Sequence, residues 1–203
     1  MGSTSCQEAS LSGFLERVAS SDPAPGGGAV AAVGAALAAG LVSMAGRFST
    51  DQLADAAAVV NEADALRLNA LVLADRDAAA YAAVTEANAL PKDVDAEGRR
   101  RQIRAALERA TEVPLEITRL ATRAAVLGSR LAQGGNQNLK GDALTAVLLG
   151  TAAARGAATL VEINVRLGRL ERDWLERSAA HLATITGIWD DASAGRDGRR
   201  GTP

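Results

Sequence analysis

Aspartates, amides and one tyrosine are the residues of this chain best suited to chemistry. Asp77 and Tyr81 stand four apart in Asp75-Arg76-Asp77-Ala78-Ala79-Ala80-Tyr81, the spacing that places two side chains on one helical face. Asp75 points about 200° away from Asp77 around a helix, so the two carboxylates do not share one small ligand. Asp75 is expected to pair with a neighbouring arginine; Asp77 lines a site or lies on a solvated face. The run Gly135-Asn136-Gln137-Asn138-Leu139-Lys140-Gly141-Asp142 is a convergent polar cluster between apolar segments, as a small-molecule site requires. It also reads as a loop with Asp142 capping the next helix. Glu162 and Asn164 interrupt an apolar helix; a buried amide there is an internal bracket or a ligand contact.

Pro25-Gly26-Gly27-Gly28 opens a helix. Free N–H groups at such a start attract anions, and glycine lets a ligand approach the backbone; the other reading is a tight packing turn. The turn lacks Gly-Lys-Ser/Thr and follows no strand, so it is neither a P-loop nor a dinucleotide fingerprint. Arg99, Arg100, Arg101 and Arg104 form a solvated face or meet an anionic substrate tail.

Several function classes are excluded by counting. One cysteine (Cys6) and one histidine (His181) rule out an intrachain disulfide, a cysteine zinc site and a two-histidine metal site. A nucleophile–histidine pair would have to use His181, which reads as structural. With 22 basic and 24 acidic residues the net charge is −2, so no general electrostatic attraction to nucleic acid or anionic membranes is expected. No basic stretch leads into an apolar core after Met1, and Cys6 stands where a myristoylation signal wants Ser or Thr. A cytoplasmic location is expected. Gly26 to Ala45 carries no charge and approaches membrane-spanning length, but Ala and Gly dominate it, so it reads as a buried core helix.

The elements that must position these residues are helical. Apolar residues make up 48% of the 203 residues and aromatics 2%, and the chain leans on Ala and Leu rather than β-branched types. The reading is all-α: one multihelical domain over residues 10–190, a flexible N-terminus over 1–9 and a disordered tail over 191–203. A first helix carries Leu11, Phe14, Leu15 and Val18; a second runs from about Ala29 to Phe48. A third starts after a cap at Asp51 and reaches about Leu90, with a kink near Leu73 as the alternative to one straight rod. That rod would span roughly 57 Å, against a breadth of roughly 45 Å for a compact domain of this size. A helix longer than its own domain needs outside cover, which points to a C2 homodimer. Pro91 breaks the chain. A fourth helix, kinked or restarted at Pro114, stops at Gly134-Gly135; a fifth, capped by Asp142, is apolar from Ala143 to Val165; Gly168 interrupts before a last one that carries Trp174, Leu175, Leu182, Ile185 and Trp189.

In this order the segments resemble the cyclodeaminase/methenyltetrahydrofolate cyclohydrolase family. The likeness covers roughly residues 11 to 185. It rests on Phe14-Leu15 before Pro25-Gly26-Gly27-Gly28-Ala29-Val30-Ala31-Ala32, on Asp75 to Tyr81, on Leu90-Pro91-Lys92 and on Val113-Pro114-Leu115. Gly135-Asn136 ahead of Asp142, and Ile163-Asn164, complete it. Two departures stand out. Gly141-Asp142 replaces the family's Ser-Asp. Leu160-Val161-Glu162-Ile163-Asn164 replaces Asn-Val-x-Ile-Asn, so Leu160 stands for an amide and Glu162 occupies a normally apolar position.

The resemblance implies a homodimer of long antiparallel helices and a folate site near the glycine turn, the Asp77 helix, the Pro91-Lys92 turn and the Asn136–Asp142 loop. It implies hydrolysis of 5,10-methenyltetrahydrofolate to the 10-formyl product, or cyclisation of 5-formiminotetrahydrofolate with loss of ammonia. No bound cofactor is expected; the tetrahydrofolate derivative is the substrate. Asp77 or Asp142 is the expected base, with Lys92 aiding proton transfer or holding the glutamyl tail. Pro25, Gly26, Gly27, Gly28, Tyr81, Asn136, Asn138, Glu162 and Asn164 are the expected substrate contacts. The 203 residues include no formiminotransferase domain, which tilts the expectation towards the cyclohydrolase. Two alternatives stand: the same fold working on an imine or iminium carbon of a non-folate substrate, and a non-catalytic helical dimer.

Overall fold

A computed structural model of the chain describes residues 5–91 and 95–194. Seven α-helices follow one another: α1 (Leu11–Val18), α2 (Gly27–Arg47), α3 (Ala56–Ala89), α4 (Ala96–Gly134), α5 (Lys140–Gly168), α6 (Asp173–Ala183) and α7 (Ile188–Ser193). No strand occurs among the described residues. Helices α2 to α5 form the central bundle: α2 packs on α3 and α5, α4 packs on the same two, and α6 and α7 lie on α4 and α5.

Alanine sets the packing. Ala32, Ala35, Ala38, Ala39, Ala63, Ala121, Ala124, Ala154 and Ala157 sit in one core with Val42, Ile117, Leu120 and Val147. Small side chains let helix axes approach closely, which secures dense packing without aromatic bulk. At Gly150 an added Cβ would press on the backbone of Ala121 and Ala125, so α4 and α5 touch there backbone to backbone. By length and hydropathy, Gly27–Arg47 and Gln137–Gly168 would both serve as membrane spans, but 61% of the first apolar window is buried within the bundle. That placement suits a core helix.

Several expected boundaries move. Helix α3 continues through Leu73: its 34 residues run without a break, about 51 Å. Pro114 likewise lies inside α4, a single 39-residue helix, where it removes one N–H without ending the rod. The cap of α3 is Asp55, not Asp51, because Thr50 to Ala54 form turns first. Asp142 lies in the first turn of α5, behind a short 3-10 turn at Gln137–Leu139, and does not cap it. At the far end of α5 Arg169 adopts the left-handed conformation, with φ of 48°. The expected last helix divides at Gly187, whose φ of 76° ends one segment and begins α7.

The N-terminal stretch is tied down in part. Ser5 Oγ, the Cys6 N–H and Gln7 Nε2 all donate to the Asp75 carboxylate, at 2.5, 2.6 and 3.2 Å. Asp75 therefore binds residues 5–7 rather than pairing with an arginine. Helix α7 reaches Ser193, so the expected disordered tail is helical at its start; 195–203 lie outside the described residues.

Candidate functional site

The glycine turn, the Asp77 helix and the C-terminal half of α5 meet around one cavity of about 390 Å3. Gly26, Gly27 and Gly28 form one wall, Asp77, Ala80, Tyr81 and Val84 of α3 a second, and Leu107, Ala110 and Pro114 of α4 a third. Leu160, Ile163, Asn164 and Leu167 of α5 close the fourth. The lining is mostly apolar with a few polar groups, the usual make-up of a small-molecule pocket.

Asp77 is the central polar group. It lies against the first turn of α2, where the Ala29 N–H donates to its carboxylate. An added Cβ at Gly28 would fall inside that carboxylate. Glycine at 28 is thus what lets α3 bring a carboxylate onto the helix start, where the free N–H groups and the dipole favour negative charge. Burial pushes the Asp77 carboxyl above the ordinary carboxylate range, and the Ala29 hydrogen bond offsets part of that rise. A carboxylate of raised pKa is a better proton acceptor near neutrality and, once protonated, still a donor.

Asn164 is explained by Pro114. Proline has no N–H, so the carbonyl four residues earlier, that of Ala110, loses its helical partner. Asn164 Nδ2 supplies the missing donor, 2.8 Å from the Ala110 oxygen. The amide is thus both bracket and cavity lining, and its Oδ1 has no protein partner among the described residues.

The structure does not bring all the expected site residues together. Gly26, Gly27, Gly28, Asp77, Tyr81 and Asn164 share the cavity. Pro25, joined to Ala24 by a cis peptide bond, is buried behind the turn and does not line it. Glu162 is exposed and faces the groove between α5 and α6, with Arg166 and Ser178; it points away because it lies two residues before Asn164. Lys92 lies outside the described residues.

Asn136, Asn138 and Asp142 are at the other end of α5. Twenty-two residues separate Asp142 from Asn164, about 33 Å along the helix. There the 135–142 loop seats on the end of α2: the Asn136 N–H donates to Ser49 Oγ at 2.9 Å, and its Nδ2 to the Phe48 carbonyl at 3.0 Å. Asn136 Oδ1 accepts from the Asn138 N–H at 3.0 Å. Asn136 thus spends both ends of its amide bracing the loop, whereas the side chains of Asn138, Lys140 and Asp142 make no hydrogen bond or ion pair among the described residues.

Two remaining candidates lie outside the cavity. Arg99 donates to the carbonyls of Leu90 and Asn88, at 3.0 and 2.8 Å, and Arg104 pairs with Glu108 and Glu171. His181 lies outside the cavity, its pKa pushed down first by burial and then by Arg119. Leu107, Ala110 and Leu167 are cavity residues that the sequence reading does not name, whereas Leu160 stands out there through the amide it replaces. The Val113-Pro114-Leu115 motif points to the α4 wall.

The family model described as formiminotransferase-cyclodeaminase matches residues 10–180. The chain belongs to this family. The family member is 35% identical over 189 residues to the methenyltetrahydrofolate cyclohydrolase of Methylorubrum extorquens, covering 89% of each chain. It is 33% identical over 169 residues to the mouse formimidoyltransferase-cyclodeaminase, 78% of this chain but 31% of that protein. Among solved structures, the formiminotetrahydrofolate cyclodeaminase of Thermotoga maritima superposes with a TM-score of 0.82 at 29% identity, covering 93% of this chain and 96% of that one. The all-α fold is thereby that of a solved family member.

Proposed function

We propose that this family member is a folate one-carbon enzyme that hydrolyses 5,10-methenyltetrahydrofolate to 10-formyltetrahydrofolate, with Asp77 as its acid–base group. The observation that carries the reading is a half-buried carboxylate packed against a helix start, its pKa raised by desolvation, inside an apolar cavity large enough for a flat heterocycle. The 35% identity to a methenyltetrahydrofolate cyclohydrolase over 89% of both chains supports the hydrolytic reading.

In the reaction Asp77 takes a proton from the attacking water as its oxygen bonds to the amidinium carbon. The hydroxyl adduct collapses to the formyl group as the bond from that carbon to N5 breaks. Asp77 returns its proton to N5, and the hydroxyl proton leaves to solvent, so one water is consumed and one proton released. Asn164 Oδ1 and the Tyr81 hydroxyl are proposed to orient the heterocycle, and Leu107, Ile163 and Leu167, which line the same cavity, to exclude bulk water. Lys92 is proposed to hold the glutamyl tail. The enzyme is proposed to work as a homodimer in the cytoplasm.

Replacing Asp77 by Asn keeps the shape and removes the proton acceptor. The expected loss is at least about 100-fold in kcat, read from the fading absorbance of methenyl-folate. Near-wild-type turnover would remove the mechanism. A second reading rests on Leu160, which lines the cavity where the family pattern carries an amide: the pocket would take a non-folate iminium substrate. Calorimetry decides, because absence of tetrahydrofolate binding at millimolar ligand favours that reading.

A further inference from the structure

We propose that Asp75 is a positioning residue for the site: by clasping residues 5–7 it latches an N-terminal strap whose far end is the glycine wall of the cavity, and so keeps the site assembled before substrate arrives. The inference does not depend on which substrate the cavity takes.

The first observation is the clasp itself. Ser5 Oγ, the Cys6 N–H and Gln7 Nε2 converge on one carboxylate. Burial alone would raise the Asp75 carboxyl, but the bonds from Ser5, Cys6 and Gln7 outweigh it and hold the group below the ordinary carboxylate range. An ionised carboxylate accepts such bonds more strongly than a neutral oxygen does. Cys6 also packs against the main core, and its Sγ accepts from Arg17 Nη2 of α1 at 4.0 Å. The clasped end is thereby braced to the helix that follows it.

The second observation is that the strap is fixed at its two ends and thinly held between them. Phe14 alone of α1 is buried, and it stands outside the main core. Leu11 and Leu15 are 70% and 55% exposed, and α1 makes no extensive contact with the other helices. Further along, Pro23, Ala24 and the three glycines line the cavity, and the Ala29 N–H donates to Asp77. The wall of the site is the far end of a segment with little packing of its own.

The third observation is where the two ends attach. Asp75 and Asp77 lie two residues apart on α3, about 3 Å along its axis, and point to different flanks of it. The strap therefore meets α3 on one flank through residues 5–7 and again on the other through Ala29, and residues 8–28 are closed into a loop between these attachments. Releasing one attachment turns the loop into a tail tethered at one end, which regains conformational freedom. The cavity wall then populates open arrangements, and apparent affinity falls with the fraction of molecules still assembled. Bound substrate draws the wall back against Asp77, so the chemical step is spared.

The test separates binding from chemistry. Asp75→Ala should raise KM for methenyl-folate about tenfold and leave kcat within about threefold of wild type, the reverse of the Asp77→Asn pattern. Asp75→Asn, which keeps one acceptor oxygen, should fall between wild type and Asp75→Ala in KM. A kcat loss at unchanged KM, an Asp75→Ala KM within about twofold of wild type, or an Asp75→Asn KM above that of Asp75→Ala overturns the proposal. Ser5→Ala combined with Gln7→Ala should raise KM in the wild-type background and no further in the Asp75→Ala background, because all three changes act on one clasp. Independent, additive effects overturn it. Amide hydrogen exchange supplies a readout without turnover. In Asp75→Ala protein the Ala29 and Val30 amides should exchange about tenfold faster, with those of Ile117 and Val147 in the core unchanged. Equal acceleration at all four is global destabilisation and overturns the latch. If wild-type protein leaves methenyl-folate untouched but exchange quickens at Ala29 and Val30 alone, the substrate reading fails and the latch stands.

Discussion

The two ends of α2 use the same residue types for opposite purposes. At the Gly27 end a half-buried carboxylate packs against the helix start and an asparagine mends a gap that a proline left in a neighbouring helix. At the Phe48 end the asparagine is the brace, bonded to two backbone groups and a hydroxyl, and the carboxylate of Asp142 has no partner. A carboxylate becomes reactive by what buries it, and an amide becomes structural by what it satisfies. Residue type alone does not separate the two ends.

The largest expected effect falls on the buried end. Gly28→Ala drives a methyl group into the Asp77 carboxylate and should lower kcat by about 100-fold, as loss of a positioned acid–base group does. Gly27→Ala, with nothing within 4 Å of its added Cβ, should stay within about threefold, because a methyl group in open space displaces no reacting atom. Similar kinetics for the two variants would break the contrast between a packed and an open glycine.

The pH profile comes next. Activity should fall as pH drops through the raised Asp77 value, because the base form is lost. Stability moves the other way. A carboxyl whose folded pKa is raised stabilises the fold in acid, and that contribution is lost as pH rises through the folded value. Asp77→Asn should therefore be inactive yet melt at or above the wild-type temperature at pH 7, measured by thermal denaturation. A lower melting temperature would show that the charge is accommodated without cost.

Smaller effects sharpen the rest. Asn164→Ala orphans the Ala110 carbonyl and should cost about 1–3 kcal/mol. In a Pro114→Ala background, which restores the helical N–H, the same change should cost clearly less in denaturant titrations. Equal costs would remove proline as the reason for the amide. Asn136→Ala should lose about 1–2 kcal/mol through its brace hydrogen bonds. Glu62→Gln should cost only about 0.5 kcal/mol, since the Glu62–Arg123 pair is exposed and screened. Arg123 holds the Glu62 carboxyl below its usual range, so this small contribution is present at neutral pH and fades as pH falls through the lowered value.

Much of the fold was legible because helical periodicity and breakers act locally. Leu11, Phe14, Leu15 and Val18 announced α1, and Pro91 and Gly134-Gly135 marked real ends of helices. The failures have physical causes. Pro114 does not restart the helix, because α5 supplies the missing hydrogen bond from a residue fifty positions away in sequence. Asp75 was given an arginine, whereas the N-terminal segment folds back onto it. Glu162 was grouped with Asn164 by proximity along the chain, although two residues on a helix face different neighbours.

The sequence by itself determined an all-helical chain, its principal breaks, the want of ligands for a cysteine or two-histidine metal site, and the pairing of Asp77 with Tyr81 on one face. Those properties depend on composition and on spacing within a few residues. Only the tertiary structure decided that Asp77 meets the glycine turn while the Asn136–Asp142 loop lies a helix length away. Burial, a missing proline N–H and the route of a 29-residue helix are set by contacts between distant segments, which spacing along the chain does not encode.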